Sequence, residues 1–335
     1  MADTASDEGA LTGGDQQWQS LYRRYRPQRF DEIRGQHHVT LALRNAVRDG
    51  RVGHAYLFSG PRGTGKTSTA RILAKALNCT DLADGEPCGK CESCVAITRG
   101  ASFDVHELDA ASNNGVEAMR DLVARSALAT PGRWKVYIVD EVHMLSTAAS
   151  NALLKTLEEP PAHVVFVLAT TDPQKVLPTI RSRTQHFEFH LLSNETLVGL
   201  LEDIASAASL ELPPDGVQVA VRRGRGSARD ALSVLDQVAA AGEVEDEAPV
   251  VAEIIAAIAG RDTARALVAV GKGLELGRDA YRLAVDLTEQ LRRAFLSLAA
   301  PTLAAELEAS SGPQEASADD IRELGLARCV RAMEI

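Results

Sequence analysis

Between residues 55 and 77 an apolar strand, a glycine-rich turn and a helix follow one another without a break, and this succession constrains the fold more than anything else in the chain. Ala55-Tyr56-Leu57-Phe58 reads as a buried strand, and residues 68–77, rich in Ala and Leu with Arg71 and Lys75, read as a helix. The turn between them, Gly60-Pro61-Arg62-Gly63-Thr64-Gly65-Lys66-Thr67, fits G-x-x-x-x-G-K-[ST], the loop that wraps nucleotide phosphates. Its glycines let backbone N–H groups turn toward anionic oxygens. Lys66 is the type of residue that reaches β- and γ-phosphates, and the Thr67 hydroxyl suits Mg²⁺. The expected ligand is ATP or GTP.

From Trp18 onward apolar runs alternate with helical patterns, with further strands expected at 105–108, 136–139, 164–169 and 186–189. Such alternation predicts an α/β fold with a parallel sheet flanked by helices. Ser146 or Thr147 caps a helix carrying Leu153, Leu154 and Leu157, which must end by Pro160-Pro161. After residue 192 the strand signals stop. Ser193 caps a helix through Leu200 and Ile204, and another helix carries Leu232, Leu235 and Val238. The expected organisation is a polar, acidic, disordered tail at 1–17, a nucleotide-binding domain at 18–192 and a helical lid at 193–242. An acidic linker at 243–249 and a helical segment at 250–335 complete it. The chain stops at Ile335 inside an amphipathic pattern, so the last domain is expected to be incomplete.

With 335 residues, 45% of them hydrophobic, the chain can bury a real core and hold two or three domains. Its formal charge of −10 restricts any DNA contact to local basic groups or helix N-termini. No apolar run approaches a membrane span and the N-terminus is acidic, so the expected compartment is the cytoplasm, with no membrane partner. Four of the five cysteines cluster as C-x8-C-x2-C-x2-C at Cys79, Cys88, Cys91 and Cys94. Four thiolates suit closed, structural, tetrahedral zinc, here as an insertion at 79–94 behind the phosphate-loop helix. Cys329 stands apart and reads as a small buried hydrophobe.

About seventy residues past the phosphate loop, Lys135-Val136-Tyr137-Ile138-Val139-Asp140-Glu141 is a buried strand ending in two acids, a Walker B pattern. Asp140 suits Mg²⁺, and Glu141 suits the polarisation of an attacking water. The strand at 164–169 ends in Thr170-Thr171, and either hydroxyl could bond a γ-phosphate or its water at the edge where open α/β sheets bind ligands. Arg181-Ser182-Arg183-Thr184 and Gly226-Ser227-Ala228-Arg229-Asp230 supply guanidinium groups, whose fork matches a phosphoryl group. Among eight histidines, His37, His38, His54 and His143 have no metal-ligand spacing, and His143 reads as a packing residue.

Taken together these residues resemble the gamma/tau family of bacterial DNA polymerase III clamp-loader subunits, within the AAA+ superfamily. The resemblance covers about 21–237 and rests on Tyr25-Arg26-Pro27, Gly35-Gln36, His54 to Gly60, the four-cysteine insertion, Asp109-Ala110-Ala111-Ser112, Asp140 to Leu145, Asn151 to Pro161, Ala169 to Lys175 and Gly226 to Gln237. The cysteine insertion is its most discriminating part, since most AAA+ proteins lack one. The resemblance implies an ATPase, with ATP, Mg²⁺ and Zn²⁺, that opens a ring-shaped sliding clamp and places it on primed template DNA. It implies a five-membered ring built from delta, delta-prime and further copies of the chain, with the third domains as a collar. Polymerase core and replicative helicase would be reached through a C-terminal extension.

By similarity Lys66, Asp140, Glu141 and Thr170 belong to the catalytic set. Arg183 would reach the γ-phosphate bound by a neighbouring subunit, Arg229 would act on the nucleotide of its own subunit, and Tyr25-Arg26-Pro27 would help form the adenine pocket. Thr184 replaces the family's usual Cys after the finger arginine. At Asn113-Asn114-Gly115, where some relatives carry basic residues, backbone N–H groups at the start of the following helix are the candidates for template contact. Two other readings compete: a different AAA+ nucleic-acid remodelling motor, and a nucleotide-binding scaffold without turnover. Intact Lys66, Asp140 and Glu141 argue against the second.

Overall fold

The computed structural model describes residues 19–126, 128, 132–242, 248–275, 277, 279–302, 304 and 316–333. The expected tail at 1–17 and residues 243–247 of the expected linker lie outside the described residues. Five strands form one sheet: β1 (Ala55–Ser59), β2 (Val105–Asp109), β3 (Lys135–Asp140), β4 (Val164–Thr170) and β5 (Gln185–Glu188), in the order β2-β3-β4-β1-β5. Every pairing is parallel. Each apolar run expected to be a strand is one.

Central strands of a parallel sheet are covered on both faces, so their side chains divide by period two into two cores instead of an apolar and a polar side. Tyr56, Phe58, Val136, Ile138, Val165 and Val167 lie in one core, beneath helices His37–Arg48 and Lys66–Asn78. Leu57, Tyr137, Val139, Phe166 and Leu168 lie in the other, beneath Val116–Ser126 and Thr147–Glu158. Ser146 caps the last of these helices, accepting a hydrogen bond from the Ala149 N–H. That helix stops at Glu158, two residues before Pro160 would break its ladder.

The described residues fall into two compact units, those up to Leu192 together with Gly226–Asp236, and Ser193–Arg225 together with those from Gln237 onward. The expected lid at 193–242 is thereby divided. Its helix start joins the sheet unit because Leu192 N–H donates to Gly226 O (2.9 Å) and Leu21 N–H to Asp236 Oδ2 (2.7 Å). The second unit contains Asn194–Ala208, capped by Ser193, then Gly216–Gly224, Ala248–Ala259, Thr263–Glu275, Ala280–Ala299 and Ala318–Met333. The Ala248–Ala259 helix begins two residues before the expected linker ends. Val250, Ile254, Ile255, Leu283, Leu291 and Leu324 build its core around the fully buried Cys329. No described helix is long and apolar enough to cross a membrane.

Candidate nucleotide and metal sites

The sheet register sets the first site. Ser59 pairs with Thr170, and β3 ends beside them at Asp140, so the loop after β1, the acids after β3 and the threonines after β4 share the C-terminal edge. Gly60, Gly63 and Gly65 take φ of 134°, 76° and 102°, conformations that strain any residue with a Cβ. Space is closed as well: a Cβ on Gly60 would fall 2.1 Å from Phe189 O, and one on Gly63 2.0 Å from Ser227 Oγ. The loop is therefore a backbone cradle that only glycine permits at these positions. Pro61 and Arg62 are exposed on it, and the Thr64 hydroxyl donates to Pro61 O (2.8 Å). The Lys66 ammonium lies against its own loop, donating to Gly60 O and Pro61 O at 2.7 Å each. Burial pulls the Lys66 pKa down, against the opposing pull of Glu141 and Asp140.

Opposite the loop, Thr67 Oγ1 donates to Asp140 Oδ2 at 2.7 Å. A hydroxyl and a carboxylate side by side are the hard oxygen ligands that Mg²⁺ takes, so the pair fits that ion. Glu141 stands at φ 48°, ψ 45°, a left-handed conformation that costs a non-glycine residue about 1–3 kcal/mol. This turn brings its carboxylate to β4: Glu141 Oε2 accepts from Thr171 N–H (3.2 Å) and Thr171 Oγ1–H (3.0 Å). Thr170 is fully buried, and its Oγ1 accepts from Asp172 N–H (3.0 Å). His143, expected to be a packing residue, is instead 3.0 Å from Thr170 Oγ1 and 3.3 Å from Glu141 Oε2.

Arg229 joins the same edge. Its Cβ lies 3.0 Å from where a Cβ on Gly63 would stand, and its guanidinium sits 4.8 Å over the ring of Tyr22. Tyr22 was absent from the expected set. Of the expected adenine-pocket residues, Tyr25 carries the Arg24 guanidinium over its ring at 5.1 Å, and Arg26 and Pro27 are half-buried. Burial, then the charge of Arg71, lowers the Arg26 pKa.

Arg183 is elsewhere. It precedes β5, whose Gln185 pairs with Tyr56 at the start of β1, so Arg183 stands at the N-terminal edge. The length of β1, about 15 Å at roughly 3.3 Å per residue, separates it from the phosphate loop of its own chain. That is farther than an arginine side chain reaches. Its Nη2 donates to Glu158 Oε1 (2.6 Å) and its Nη1 to Thr179 O (2.9 Å). A depression of about 460 Å³, lined by Gly53, His54, Leu157, Glu158, Arg183 and Gln185, opens there. Glu158, like Tyr22, gives no signal in sequence, since its contact spans 25 residues and follows no helical or strand spacing. Asn113 and Asn114 are exposed just ahead of the Val116–Ser126 helix.

The four clustered cysteines form the second site. Their Sγ atoms all lie within 4.8 Å of one another, with Cys79 and Cys91 at 4.0 Å, and none is in a disulfide. Tetrahedral zinc at about 2.3 Å from each sulfur asks for S···S separations near 3.8 Å, so the cluster fits zinc. Backbone N–H groups of Cys88, Cys91 and Cys94 donate to Cys79, Cys88 and Cys91 Sγ at 3.3, 3.3 and 3.5 Å. Burial works against ionising Cys91, but N–H donors from Thr80 and Cys94 outweigh it and bring the thiol down to about 6. The module is tied to the rest of the unit through Glu86, which accepts from Phe30 N–H (2.9 Å), and through Gln28, which bonds both Lys75 and Thr98.

A family model described as DNA polymerase III, delta subunit, matches residues 35–193. DNA polymerase III subunit gamma/tau of Mycobacterium tuberculosis (strain H37Rv) is 44% identical over 337 residues, which cover 94% of this chain and 58% of that protein. The tau subunit of Bacillus subtilis is 43% identical over 87% of this chain and 54% of the relative. That of Escherichia coli K12 is 50% identical over 68% of this chain and 35% of the relative. The chain thus spans about half the length, or less, of these curated relatives. Among solved structures, Thermotoga maritima RuvB, a Holliday junction branch migration motor, aligns over 92% of this chain and 91% of its own at TM-score 0.48 and 19% identity. A likeness of that size carries no argument about function. With 43–50% identity to relatives named as gamma/tau or tau subunits of DNA polymerase III, over as much as 94% of its length, the chain belongs to the DNA polymerase III gamma/tau family.

Proposed function

We propose that this chain is an ATPase subunit of the DNA polymerase III clamp loader, coupling ATP binding and hydrolysis to the placement of a sliding clamp on primed template DNA in the cytoplasm. The observation that carries this reading is the split of the ATP machinery between the two edges of one sheet. Lys66, Thr67, Asp140, Glu141, Thr170 and Arg229 gather at the C-terminal edge, while Arg183 lies at the other, beyond reach of its own loop. A site divided in this way is completed by a neighbour, which accords with a ring of delta, delta-prime and further copies of this chain.

When bound, Mg²⁺–ATP supplies the phosphoryl group and the neutralising charge. The residues 60–67 hold the phosphates through backbone N–H groups, with the Lys66 ammonium exchanging its two loop carbonyls for phosphate oxygens. Thr67 and Asp140 would hold Mg²⁺, and Tyr25, Arg26 and Pro27 line the adenine side. Glu141 accepts a proton from, and so aims, the attacking water, and Thr170 offers its hydroxyl to the transferring group. Arg229 stabilises charge from its own subunit, and Arg183 does so on the nucleotide of the next subunit. Cys79, Cys88, Cys91 and Cys94 would hold zinc, stiffening the unit behind the phosphate-loop helix. Residues 193–242 act as lid and 250–335 as collar. Polymerase core and replicative helicase would be met through a C-terminal extension.

The test is ATP turnover by the reconstituted ring, with and without sliding clamp plus primed DNA. Stimulation by the two together is expected, with a slow Glu141→Gln variant that still binds ATP. Turnover indifferent to clamp and primer would favour a different remodelling motor, and equal rates for wild type and the variant would remove Glu141 from the chemistry. Metal analysis of the purified chain should give one zinc per molecule; substoichiometric metal with four reactive thiols would overturn the zinc site.

A further inference from the structure

A largely buried imidazole stands beside Glu141 and Thr170. The His143 side chain is only 11% exposed, and its Nδ1 faces two oxygens at once, Thr170 Oγ1 at 3.0 Å and Glu141 Oε2 at 3.3 Å. A carboxylate oxygen offers only acceptor sites, so a bare Nδ1 lone pair against Glu141 would be repelled, whereas an Nδ1–H is attracted. The contact therefore selects a ring that carries a proton on Nδ1.

Two consequences follow at the neighbouring groups. Thr171 N–H and Thr171 Oγ1–H both donate to Glu141 Oε2, which His143 Nδ1 approaches to 3.3 Å while bonding Thr170 Oγ1, and Oε1 takes none of the three. One carboxylate oxygen is thus pinned and the other presented. At Thr170, Oγ1 accepts from Asp172 N–H and faces the His143 proton, so its own hydroxyl hydrogen is directed away from both. The left-handed backbone at Glu141 is compensated by the same three contacts.

We propose that His143 is a positioning residue: through Nδ1–H it fixes the Glu141 carboxylate and the Thr170 hydroxyl with respect to each other, so that base and hydroxyl reach the reacting γ-phosphoryl group together. This rests on the reading of Glu141 as the group that aims the attacking water. His143 acts through Glu141 and Thr170.

The experiment compares His143→Asn, which keeps an N–H donor near Nδ1, with His143→Leu, which has nearly the same shape and no donor, in the full chain within the reconstituted ring. His143→Leu should lower kcat by about 10- to 100-fold, the size of effect a misaimed reacting group produces, while KM and ATP affinity stay within about twofold. His143→Asn should recover most of that loss. On a Glu141→Gln background, His143→Leu should add nothing, because the group it aims is already disabled. A wild-type kcat for His143→Leu beside a slow Glu141→Gln overturns the positioning role alone. So does a His143→Leu loss that carries its full factor onto Glu141→Gln. If Glu141→Gln itself turned over at the wild-type rate, the reading of Glu141 would fail and the proposal with it. Should His143→Leu melt well below wild type, ¹⁵N shifts of the wild-type imidazole decide, with the resonance assigned by His143→Asn. A proton on Nδ1 supports the proposal, and a bare Nδ1 overturns it.

Discussion

The C-terminal edge of the sheet is built from buried and half-buried polar groups bonded to one another, whereas the N-terminal edge presents Arg183 beside an exposed carboxylate. Lys66 and Thr170 are 6% and 0% exposed, and Thr67, Asp140, Glu141, Thr171 and His143 are connected by hydrogen bonds or close approach. Arg183 and Glu158 have side chains 35% and 50% exposed and share one short ion pair, with Arg183 Nη1 also on Thr179 O. Buried polar groups keep their geometry because leaving a partner costs a desolvated donor or acceptor about 1–3 kcal/mol. An exposed pair is worth roughly 0–1 kcal/mol, so Arg183 can leave Glu158 for a more highly charged anion at little cost. One edge is preorganised and the other releasable, as the proposed sharing of a site between two subunits would require.

The sharpest way to break that comparison is to empty the releasable edge. In the reconstituted ring, Arg183→Ala should cut turnover by about 10³- to 10⁵-fold, the range for an arginine finger, while the isolated subunit still binds ATP. Mixing it with Lys66→Ala subunits should restore part of the rate, because each variant then supplies the half its neighbour lacks. Loss of ATP binding by isolated Arg183→Ala, or no recovery on mixing, would place both halves in one chain. Next in size, Glu141→Gln should lower kcat about 10²- to 10⁴-fold with ATP binding retained, measured in the same ring.

Smaller effects test whether the sheet between the edges is scaffold alone. The Tyr137 hydroxyl in β3 is buried without a hydrogen-bond partner, and burial pushes its pKa up to about 12. Tyr137→Phe removes that unsatisfied group, so denaturant unfolding should show the variant as stable as wild type or up to about 2 kcal/mol more so. Its ATP turnover should not change; a clear loss would mean that the strand does more than hold the two edges apart. Smallest of all, Glu158→Gln should alter unfolding free energy by no more than about 1 kcal/mol, with the difference shrinking further in high salt. A larger, salt-insensitive loss would mean that Arg183 is fixed to Glu158 instead of resting there.

The residues most legible in sequence are those whose chemistry is local. The phosphate loop at 60–67, the strand ending in Asp140-Glu141 and the cysteine run at 79–94 each place their ligands through short spacing and turn chemistry, and the five strands follow from apolar runs alone. Ser146 and Ser193 were readable as caps for the same reason. What was not legible depends on contacts between residues far apart in sequence. The partners of Thr170 and Thr171 depend on the register of β4, which placed one beside His143 and Asp172 and the other on Glu141. The seat of Tyr22 beneath Arg229 spans more than two hundred residues.

Sequence by itself therefore determined the phosphate-loop pattern, the four-cysteine cluster and the α/β architecture, because a glycine-rich loop, closely spaced thiols and a period of apolar residues act through neighbours on the chain. Only tertiary structure decided which edge each charged group occupies, since parallel pairing of β5 with β1 sends Arg183 away from the loop it resembles a partner for. It also decided the role open to His143, whose identity in the chain suggested packing until folding brought Nδ1 against two oxygens. Hydrogen-bond direction is a property of the assembled site: it exists only once sheet register and the Glu141 turn have fixed donor and acceptors in space.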